Sequence, residues 1–322
     1  MLFEDQFLSY NKRDQVQYWI YVPAAESKAV VQLIHGFGEN ARRYIHMISR
    51  FLDEGFVVAC DDHVGHGKTA IVNNTWGDIG NAGPHTMMED EHILYGIAAE
   101  KFPGLPYFIF GHSMGSMIAR DYVGKYGDEL AGVIFCGTSG PALSAPGIPS
   151  EGSLTLSPEK MKLRFPEGTS RGNEWICDDP WVQKDHMEDP LNAFGRPFTP
   201  EFYALMKEVG EYINSPEWAK DVPVQLPIYN IAGDQDPVGQ YGAGVIFLSN
   251  MLIDTGHNVK TKLYPGLRHE IHNYKAYRDE VESGIVDFSS VDAVLDKIVS
   301  AKRAELKAFN KQALQMGYNY QG

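Results

Sequence analysis

A serine between two glycines has the strongest chemical signature in this chain. The motif Gly-His-Ser-Met-Gly occupies 111–115, after the apolar run 107–110 and before a helix-like stretch at 116–126. A serine on so tight a strand-to-helix turn has a strained backbone, and its hydroxyl stands clear of the sheet. The flanking glycines let neighbouring backbone approach closely. The sequence therefore predicts that Ser113 is a nucleophile.

A serine hydroxyl needs a base to take its proton, and the base needs an acceptor to orient it. In a sheet of this type the acid and then the histidine follow along the chain, each on a loop after a later strand. Asp236 follows the apolar run 228–231, and His269 follows the run 259–264. Both loops then lie at the same sheet edge as Ser113. We predict Ser113, His269 and Asp236 as a catalytic triad.

Each loop also offers a second candidate. Asp236 is preferred to Asp234 because it lies beyond the strand and before a proline that turns the chain away. His269 is preferred to His272, which we expect one helical turn further on, facing solvent or capping.

The negative charge that forms on the attacked carbonyl oxygen needs waiting amide donors. One is the N–H of Met114, at the start of the predicted helix, where the helix dipole also favours negative charge. The second is expected from the glycine-rich loop 35–38, directly after the run 29–34, and the N–H of Phe37 is the candidate.

One stretch imitates a nucleotide-binding loop. Residues 65–70 resemble a dinucleotide fingerprint and end like a phosphate-binding loop, but a Walker motif needs glycine where Asp62 stands. A dinucleotide site needs a helix directly afterwards, whereas 71–78 is turn-like. We interpret 62–67 as a structural loop beside the site, with Asp62 bonding local amides, and expect no metal and no organic cofactor.

Short apolar runs that alternate with helical stretches predict an α/β fold with a parallel sheet covered on both faces. An alternating segment at 15–22 predicts an antiparallel pair at the N-terminus. The predicted strands are 29–34, 56–60, 107–110, 132–136, 228–231 and 259–264. The predicted helices are 44–52, 85–101, 116–126, 242–251 and 290–309.

The alternation breaks between about 139 and 222, where no parallel-strand run occurs. A structureless loop of that length is improbable, so we interpret the segment as an inserted helical cap. The predicted organisation is a first core part at 1–138, a cap at 139–222, a second core part at 223–310 and a tail at 311–322. Helical pieces of the cap are expected at 157–163, 179–188 and 199–213.

Composition limits the partners. A formal net charge of −14 argues against nucleic acid and against attachment to anionic lipid. Three cysteines have no framework spacing and are expected as buried thiols in a reducing compartment. Neither a signal peptide nor a membrane-spanning stretch is recognised, so a cytoplasmic location is expected.

Together these motifs resemble the α/β-hydrolase superfamily, specifically the monoacylglycerol lipase and lysophospholipase-like serine hydrolases. The residues that carry the resemblance are 35–40 with 43–44, 62–67, 102–106, 111–115, 189–191 and 264–266 with His269. Asn40 replaces a histidine usual in that family, and Ser116 stands where a second glycine is common. The resemblance implies a mostly parallel central sheet of about eight strands flanked by helices, with an inserted, mainly helical cap. It also implies the same triad and oxyanion amides.

The predicted function is hydrolysis of single-chain acyl esters, of monoacylglycerol or lysophospholipid type, through an acyl-enzyme. Alternatives are an amide-cleaving serine aminopeptidase, for which Glu174, Asp178 and Asp179 would hold an ammonium group, or a short-chain or aryl carboxylesterase. Dehalogenase and epoxide hydrolase chemistry needs an aspartate at position 113, so the serine there excludes both activities. Lipid contact is expected to be transient and through the cap. Candidates for substrate contact are Gly36, His112, Trp175, Trp181 and Phe194.

Overall fold

One eight-stranded sheet organises the computed structural model, which describes residues 1–141, 172–193 and 195–289. The strands are β1 (Leu2–Leu8), β2 (Gln15–Tyr21), β3 (Ala29–Ile34), β4 (Phe56–Asp62), β5 (Tyr107–His112), β6 (Gly132–Cys136), β7 (Ile228–Gly233) and β8 (Val259–Tyr264). Their order in the sheet is β1-β2-β4-β3-β5-β6-β7-β8. Strand β2 pairs antiparallel with both neighbours, and the pairs from β4 to β8 are parallel.

The central strands are buried on both faces. Every residue of β3, β5, β6 and β7 is buried, as expected when helices cover a parallel sheet on its two sides. Their β-branched and aromatic residues suit such a surface. The register aligns Ile34 with Gly111 and His112 with Cys136, so the loops after β3, β5 and β6 leave the sheet side by side.

Nine α-helices lie in the described part of the chain. They are α1 (Ile45–Asp53), α2 (Gly67–Asn73), α3 (Thr86–Lys101), α4 (Met114–Tyr126), α5 (Pro180–Glu188), α6 (Pro200–Ile213), α7 (Pro216–Asp221), α8 (Ala243–Asp254) and α9 (Arg278–Phe288). Helices α5, α6 and α7 share one start signal, a capping side chain followed by proline. Asp179, Thr199 and Ser215 each accept a hydrogen bond from a backbone N–H in the first turn.

The fold class predicted from the sequence is confirmed, with differences in detail. Helix α2 occupies 67–73, so the expectation that 71–78 is turn-like is wrong at 71–73, and the turn begins only at Asn74. The lysine and threonine that follow Gly67 continue directly into a helix whose end is set by Asn74 in the left-handed region at φ +55°. Helices α7 and α9 were not predicted.

Two expected helices, at 157–163 and 290–309, lie outside the described residues, as does the tail. The boundaries of the cap at 139 and 222 remain an interpretation, although α5 and α6 fall within it at nearly the predicted positions. Within the part of the chain that the structure describes, no helix combines the length and apolarity needed to cross a membrane.

Candidate active site

Ser113 sits between β5 and α4 in a conformation that few non-glycine residues adopt, with φ +55° and ψ −120°. Such strain persists only where the surroundings impose it. A Cβ atom on Gly111 would lie 2.3 Å from the carbonyl oxygen of Gly115, and one on Gly115 would lie 2.2 Å from that of Ile34. Both glycines are therefore required by packing. The turn is fixed further by the N–H of Ser113, which donates to the carbonyl oxygen of Cys136 over 2.9 Å.

The loops after β7 and β8 bring Asp236 and His269 together. Nδ1 of His269 lies 2.9 Å from Oδ2 of Asp236, and Oδ1 of Asp236 accepts the N–H of Val238 over 2.8 Å. Both side chains are buried. Since a carboxylate accepts at Nδ1, the neutral ring carries its proton there and leaves Nε2 as a base.

The same imidazole lies beside the serine elbow. A Cβ atom on Gly137, the residue after Cys136, would be 3.2 Å from the His269 ring, and Cys136 itself accepts the Ser113 N–H. Nε2 of His269 is buried and has no hydrogen-bond partner among the described residues. The structure therefore brings the three predicted residues to one sheet edge without a hydrogen bond between Ser113 Oγ and Nε2.

The electrostatic surroundings favour the charged form of His269. Burial alone would lower its pKa, but the charge and hydrogen bond of Asp236, with smaller contributions from Glu270 and Glu39, raise it above the ordinary value. This is the direction that a proton acceptor needs if its protonated form is to be stabilised during reaction.

The two predicted amide donors, those of Phe37 and Met114, belong to the loop after β3 and to the first position of α4. Neither the N–H of Phe37 nor that of Met114 donates a hydrogen bond to another described residue. Gly36 lies directly against Ser113, because a Cβ atom on Gly36 would be 2.9 Å from Ser113 Cβ. The loop after β3 is therefore close enough to share a small oxygen atom with the first turn of α4.

The candidates for substrate contact separate into two groups. The Trp175 ring lies 5.1 Å from the ring of His269, and Gly36 adjoins the serine. The ring of His112 instead points below the elbow, where Nδ1 meets Tyr44 and Glu39 at 3.0 and 3.1 Å. Trp181 is 57% exposed and lines a separate cavity of about 470 Å³ whose lining includes none of the three triad candidates. Phe194 lies outside the described residues.

An aromatic wall stands beside the Phe37 loop. The Phe37 ring is 4.4 Å from that of Phe198, 5.6 Å from that of Phe202 and 6.4 Å from that of Tyr203. Phe198 and Phe202 are buried and pack the 195–213 segment onto the core, whereas the Phe37 side chain is 41% exposed. Apolar surface at an ester-cleaving site suits an acyl group or an alcohol with little polarity.

Sequence reasoning missed a buried ionic network behind His269. Oε1 of Glu39 accepts from the N–H of Gly36 over 2.6 Å and from Tyr44 over 2.7 Å. Oε2 of Glu39 accepts from Arg43 over 2.7 Å, and Arg43 also holds Glu270 with two bonds of 2.6 and 2.9 Å. The sequence does place charged residues inside the 35–44 motif and next to His269, and these could have indicated an ionic contact between the two segments.

The network places two carboxylates against one guanidinium. Burial alone would raise the pKa of Glu39, but the hydrogen bond from His112 and the charge of Arg43 hold it well below its ordinary value. In the same way the charge and hydrogen bonds of Arg43 outweigh burial and lower the pKa of Glu270. Both acids are therefore ionised. The Glu39 carboxylate fixes the backbone at Gly36, and the Glu270 carboxylate holds the side chains of Arg43 and Asn273.

The second candidates in each loop have other contacts. Asp234 accepts the N–H of Gly266 over 2.8 Å and so ties the two loops together. His272 is fully buried and stacks on the Tyr44 ring at 5.1 Å, so the expectation that it faces solvent or caps a helix is wrong. The turn at 271–273 directs the ring inward because Tyr44 and His112 offer an aromatic pocket there.

The loop at 62–67 is a structural element, as the sequence suggested. Oδ1 of Asp62 accepts the N–H of Ala41 over 2.9 Å, and Oδ2 accepts the N–H of Lys68 over 2.6 Å. This carboxylate occupies the N-terminus of α2, where a phosphate would otherwise bind.

Two buried groups contain side chains of types that can bind metals. They are His112, Cys136 and His272, and Asp61, His63 and Glu91, with ligand-type atoms within 4.8 Å of one another in each group. The first lies below the serine elbow, and the second lies behind the Phe37 loop. The chemistry of a serine, an imidazole and two amides requires neither group to hold a metal.

Comparison with known proteins agrees with this geometry. The family model described as "Serine aminopeptidase, S33" matches residues 25–275. The monoacylglycerol lipase of Mycolicibacterium smegmatis is 31% identical over 84% of this chain and 93% of its own. A thermostable carboxyl esterase from Bacillus coagulans, solved with glycerol, is 50% identical over 89% of this chain and 97% of that one, with a TM-score of 0.82. A lipase in its open form is 37% identical over 91% and 99%, with a TM-score of 0.79. The chain therefore belongs to the family described as "Serine aminopeptidase, S33", and it is an α/β-hydrolase similar to monoacylglycerol lipases.

Proposed function

We propose that this protein is a serine carboxylic-ester hydrolase that cleaves single-chain acyl esters of the monoacylglycerol or lysophospholipid type. The observation that carries the proposal is the 2.9 Å contact between His269 Nδ1 and Asp236 Oδ2 beside the strained turn of Ser113. The relatives support ester chemistry, since they are a monoacylglycerol lipase, a lipase and a carboxyl esterase.

The proposed reaction has two halves. His269 Nε2 removes the proton of Ser113 as Oγ attacks the ester carbonyl, and the amides of Phe37 and Met114 stabilise the oxyanion. The intermediate collapses when the imidazolium gives that proton to the departing alcohol, which leaves an acyl-serine. Water then attacks with the same base, the fatty acid is released, and Ser113 recovers its proton.

Asp236 orients the His269 imidazole in both halves of the reaction. Its carboxylate holds the proton of His269 on Nδ1, so that Nε2 always faces the serine. It also stabilises the imidazolium that forms in each half, in agreement with the direction of the His269 pKa.

Amide cleavage is not favoured. Of the three carboxylates that would hold an ammonium group, Asp179 caps helix α5 through the N–H of Trp181 over 2.8 Å. Glu174 accepts the N–H of Gly172 over 3.0 Å, so its carboxylate is also engaged in local structure. The names of the relatives, a monoacylglycerol lipase, a carboxyl esterase and a lipase, also favour ester hydrolysis.

A short-chain carboxylesterase is the second candidate, because the Bacillus coagulans relative at 50% identity is a carboxyl esterase. The three cysteines are free and buried, which supports work in a reducing compartment such as the cytoplasm.

The test is a substrate panel with the wild-type protein and Ser113→Ala. The panel contains monoacylglycerols and p-nitrophenyl esters of graded acyl length, a lysophospholipid and an aminoacyl amide. We expect turnover of the esters to depend on acyl length, with a maximum at medium or long chains for a monoacylglycerol lipase and at short chains for a carboxylesterase. A fluorophosphonate probe should label the wild type and spare Ser113→Ala. Wild-type protein that is neither labelled nor active on any ester would refute the proposal.

A further inference from the structure

Three buried ionisable side chains converge behind the loop that carries Phe37. Nδ1 of His63 lies 3.1 Å from Oδ1 of Asp61 and 3.2 Å from Oε1 of Glu91. All three side chains are at most 1% exposed. Buried charges of this kind contribute little to stability for their desolvation cost, so the cluster calls for another explanation.

The cluster is attached to the strand that leads into the loop. Gln32 of β3 donates to Oε2 of Glu91, and also to the backbone oxygen of Glu91 over 3.0 Å. Tyr107 of β5 in turn donates to Oε1 of Gln32. Glu91 is therefore fixed in position relative to β3 and β5, the two strands that end at the proposed active site.

His63 contacts the Phe37 loop through His35 in three ways. Nε2 of His63 donates to the carbonyl oxygen of His35 over 3.2 Å, and the N–H of His63 donates to Nε2 of His35 over 3.1 Å. The two rings also stack, with centroids 3.8 Å apart and planes at 23°. The imidazole of His63 thus holds the His35 carbonyl and stacks on its ring, and the backbone N–H of His63 holds the ring nitrogen.

These contacts decide which nitrogen of His35 carries a proton. Because Nε2 of His35 accepts from the backbone N–H of His63, the neutral ring has its proton on Nδ1. Burial, and then the charges of His63 and His66, lower the pKa of His35 well below its ordinary value, so the ring is neutral. Nδ1 of His35 lies 2.9 Å from the carbonyl oxygen of Gly36 and donates to it.

A fixed Gly36 carbonyl fixes the direction of the Phe37 amide. The peptide unit is planar and trans, so the N–H of Phe37 points opposite to the C=O of Gly36. A Cβ atom on Gly36 would touch Ser113, so this peptide plane stands next to the proposed nucleophile. Any rotation of the Gly36 carbonyl therefore turns the Phe37 N–H away from the oxyanion.

We propose that His63, held between Asp61 and Glu91, is a positioning residue that aims the Phe37 amide at the oxyanion through His35. The inference rests on the proposed function and names a group outside the triad and the two amides. The titratable groups that face His63 are Asp61 and Asp62 from β4, Asp90 and Glu91 from α3, and the rings of His35 and His66. Its Nε2 donor is charge-assisted when both ring nitrogens are protonated.

The first pair of variants is His63→Phe and His63→Gln. Phenylalanine keeps a ring against His35 but loses the Nε2 donor, whereas glutamine carries an N–H at a similar distance along its side chain. Removal of an oxyanion donor costs on the order of 10²–10³ in turnover, so its misalignment should cost on the order of tenfold to a hundredfold in kcat. For His63→Phe we expect this tenfold to hundredfold loss of kcat, while KM changes by less than about twofold. His63→Gln should recover most of the wild-type kcat.

The matched control is His257→Phe. His257 is 5% exposed, and its Nε2 bonds a backbone carbonyl, that of Val222, over 3.0 Å, far along the chain from the loop. This variant loses the same kind of hydrogen bond in a comparably buried place. We expect a similar loss of melting temperature in both phenylalanine variants and a loss of kcat only in His63→Phe. A trifluoromethyl ketone, whose adduct oxygen mimics the oxyanion, should bind His63→Phe more weakly by the same factor as kcat falls.

The proposal is overturned if His63→Phe retains wild-type kcat, if His63→Gln is as slow as His63→Phe, or if His257→Phe loses equally. Should His63→Phe not fold, a comparison of Asp61→Asn with Asp14→Asn decides. Asp14 is also buried and bonds Asn11 and Arg13, away from the cluster and the Phe37 loop. We then expect kcat to fall severalfold only in Asp61→Asn, and equal values would overturn the proposal. A wild-type protein without esterase activity would instead refute the proposed function.

Discussion

The imidazole of His269 has one carboxylate partner, and that partner sets both its orientation and its affinity for protons. Asp236 has no exposed surface and accepts two hydrogen bonds, one from His269 and one from Val238. Its side chain is therefore rigid. A rigid acceptor at Nδ1 determines which ring nitrogen is available to the serine, so the geometry of one residue determines the chemistry of another.

The change Asp236→Asn tests this dependence through the pH profile. As the proposed base, His269 must be neutral to act, so kcat/KM should fall as pH drops through the pKa of His269, which lies above its ordinary value. Without the Asp236 charge, burial lowers that pKa, and the acid limb should move to lower pH. The plateau should fall on the order of 10⁴-fold because the favoured tautomer is lost.

Asp234→Asn is the matched control for that experiment. Asp234 lies two residues away and bonds the N–H of Gly266 rather than an imidazole. We expect its acid limb to coincide with that of the wild type. An unshifted limb in Asp236→Asn, or an equal shift in Asp234→Asn, would contradict the assignment of Asp236.

At the scale of elements, the serine elbow depends on how closely α4 approaches β3. The carbonyl oxygens of Ile34 and His35 would lie 2.2 and 2.5 Å from a Cβ atom on Gly115. Contacts that short with backbone cannot be relieved by a side-chain rotation, so the helix or the loop after β3 would have to move. Gly115 is thus a packing requirement as much as a feature of the motif.

Gly115→Ala and Gly96→Ala form a pair of identical substitutions with opposite expected signs. Gly115→Ala should lower the free energy of unfolding by about 2–3 kcal/mol through overpacking. Gly96 is exposed in α3 with nothing within 4 Å of the added atom, so Gly96→Ala should raise stability by about 0.5–1 kcal/mol. Urea unfolding of both variants measures the difference. Equal effects would show that the close approach of α4 to β3 is not what the glycine serves.

At the scale of the whole molecule, Arg43 joins segments that are far apart in the chain. It binds Glu39 four residues before it and Glu270 at a separation of 227 residues. Glu270 adjoins His269, and Glu39 holds the N–H of Gly36. The arginine therefore connects the loops after the third and the eighth strand across the core.

Arg43→Leu should destabilise the protein by about 3–5 kcal/mol at neutral pH, since it leaves two buried carboxylates unpaired. In the wild type the pKa values of Glu39 and Glu270 are lowered, so their contribution is present above pH 4.5 and is lost as pH falls through the folded-state values. In the variant burial raises those pKa values. The difference in stability between the two proteins should therefore shrink from pH 8 to pH 5.

Arg42→Leu is the control for the whole-molecule prediction. Arg42 is adjacent but has a side chain that is 66% exposed and only a 3.5 Å contact with Asp189. A pair at this distance whose arginine is in solvent contributes less than about 1 kcal/mol. Chemical denaturation at the two pH values compares both variants, and a loss in Arg42→Leu equal to that in Arg43→Leu would contradict the buried-network explanation.

Helices and strands could be predicted from the sequence where a local pattern of residues was enough to define them. The strands 29–34, 132–136 and 259–264 agree with the structure to the residue, because buried runs bounded by turns have sharp edges. Helix α2 was missed because its seven residues start at a glycine and end in an asparagine pair, and both features are typical of loops. Helix α9 has a mixed pattern that only packing against the 271–273 turn and α1 stabilises.

The amino-acid sequence by itself determined the order of strands and helices, the position of Ser113 and the loops from which Asp236 and His269 come. These follow from local periodicity, turn chemistry and chain order, which are readable in one dimension. Only the tertiary structure decided that Arg43 lies between Glu39 and Glu270, that His272 is buried, and that Asp61, His63 and Glu91 meet behind His35. Such contacts depend on which side chains the folded sheet and helices bring within a few ångströms, and residues 30 to 230 positions apart carry no local sign of meeting.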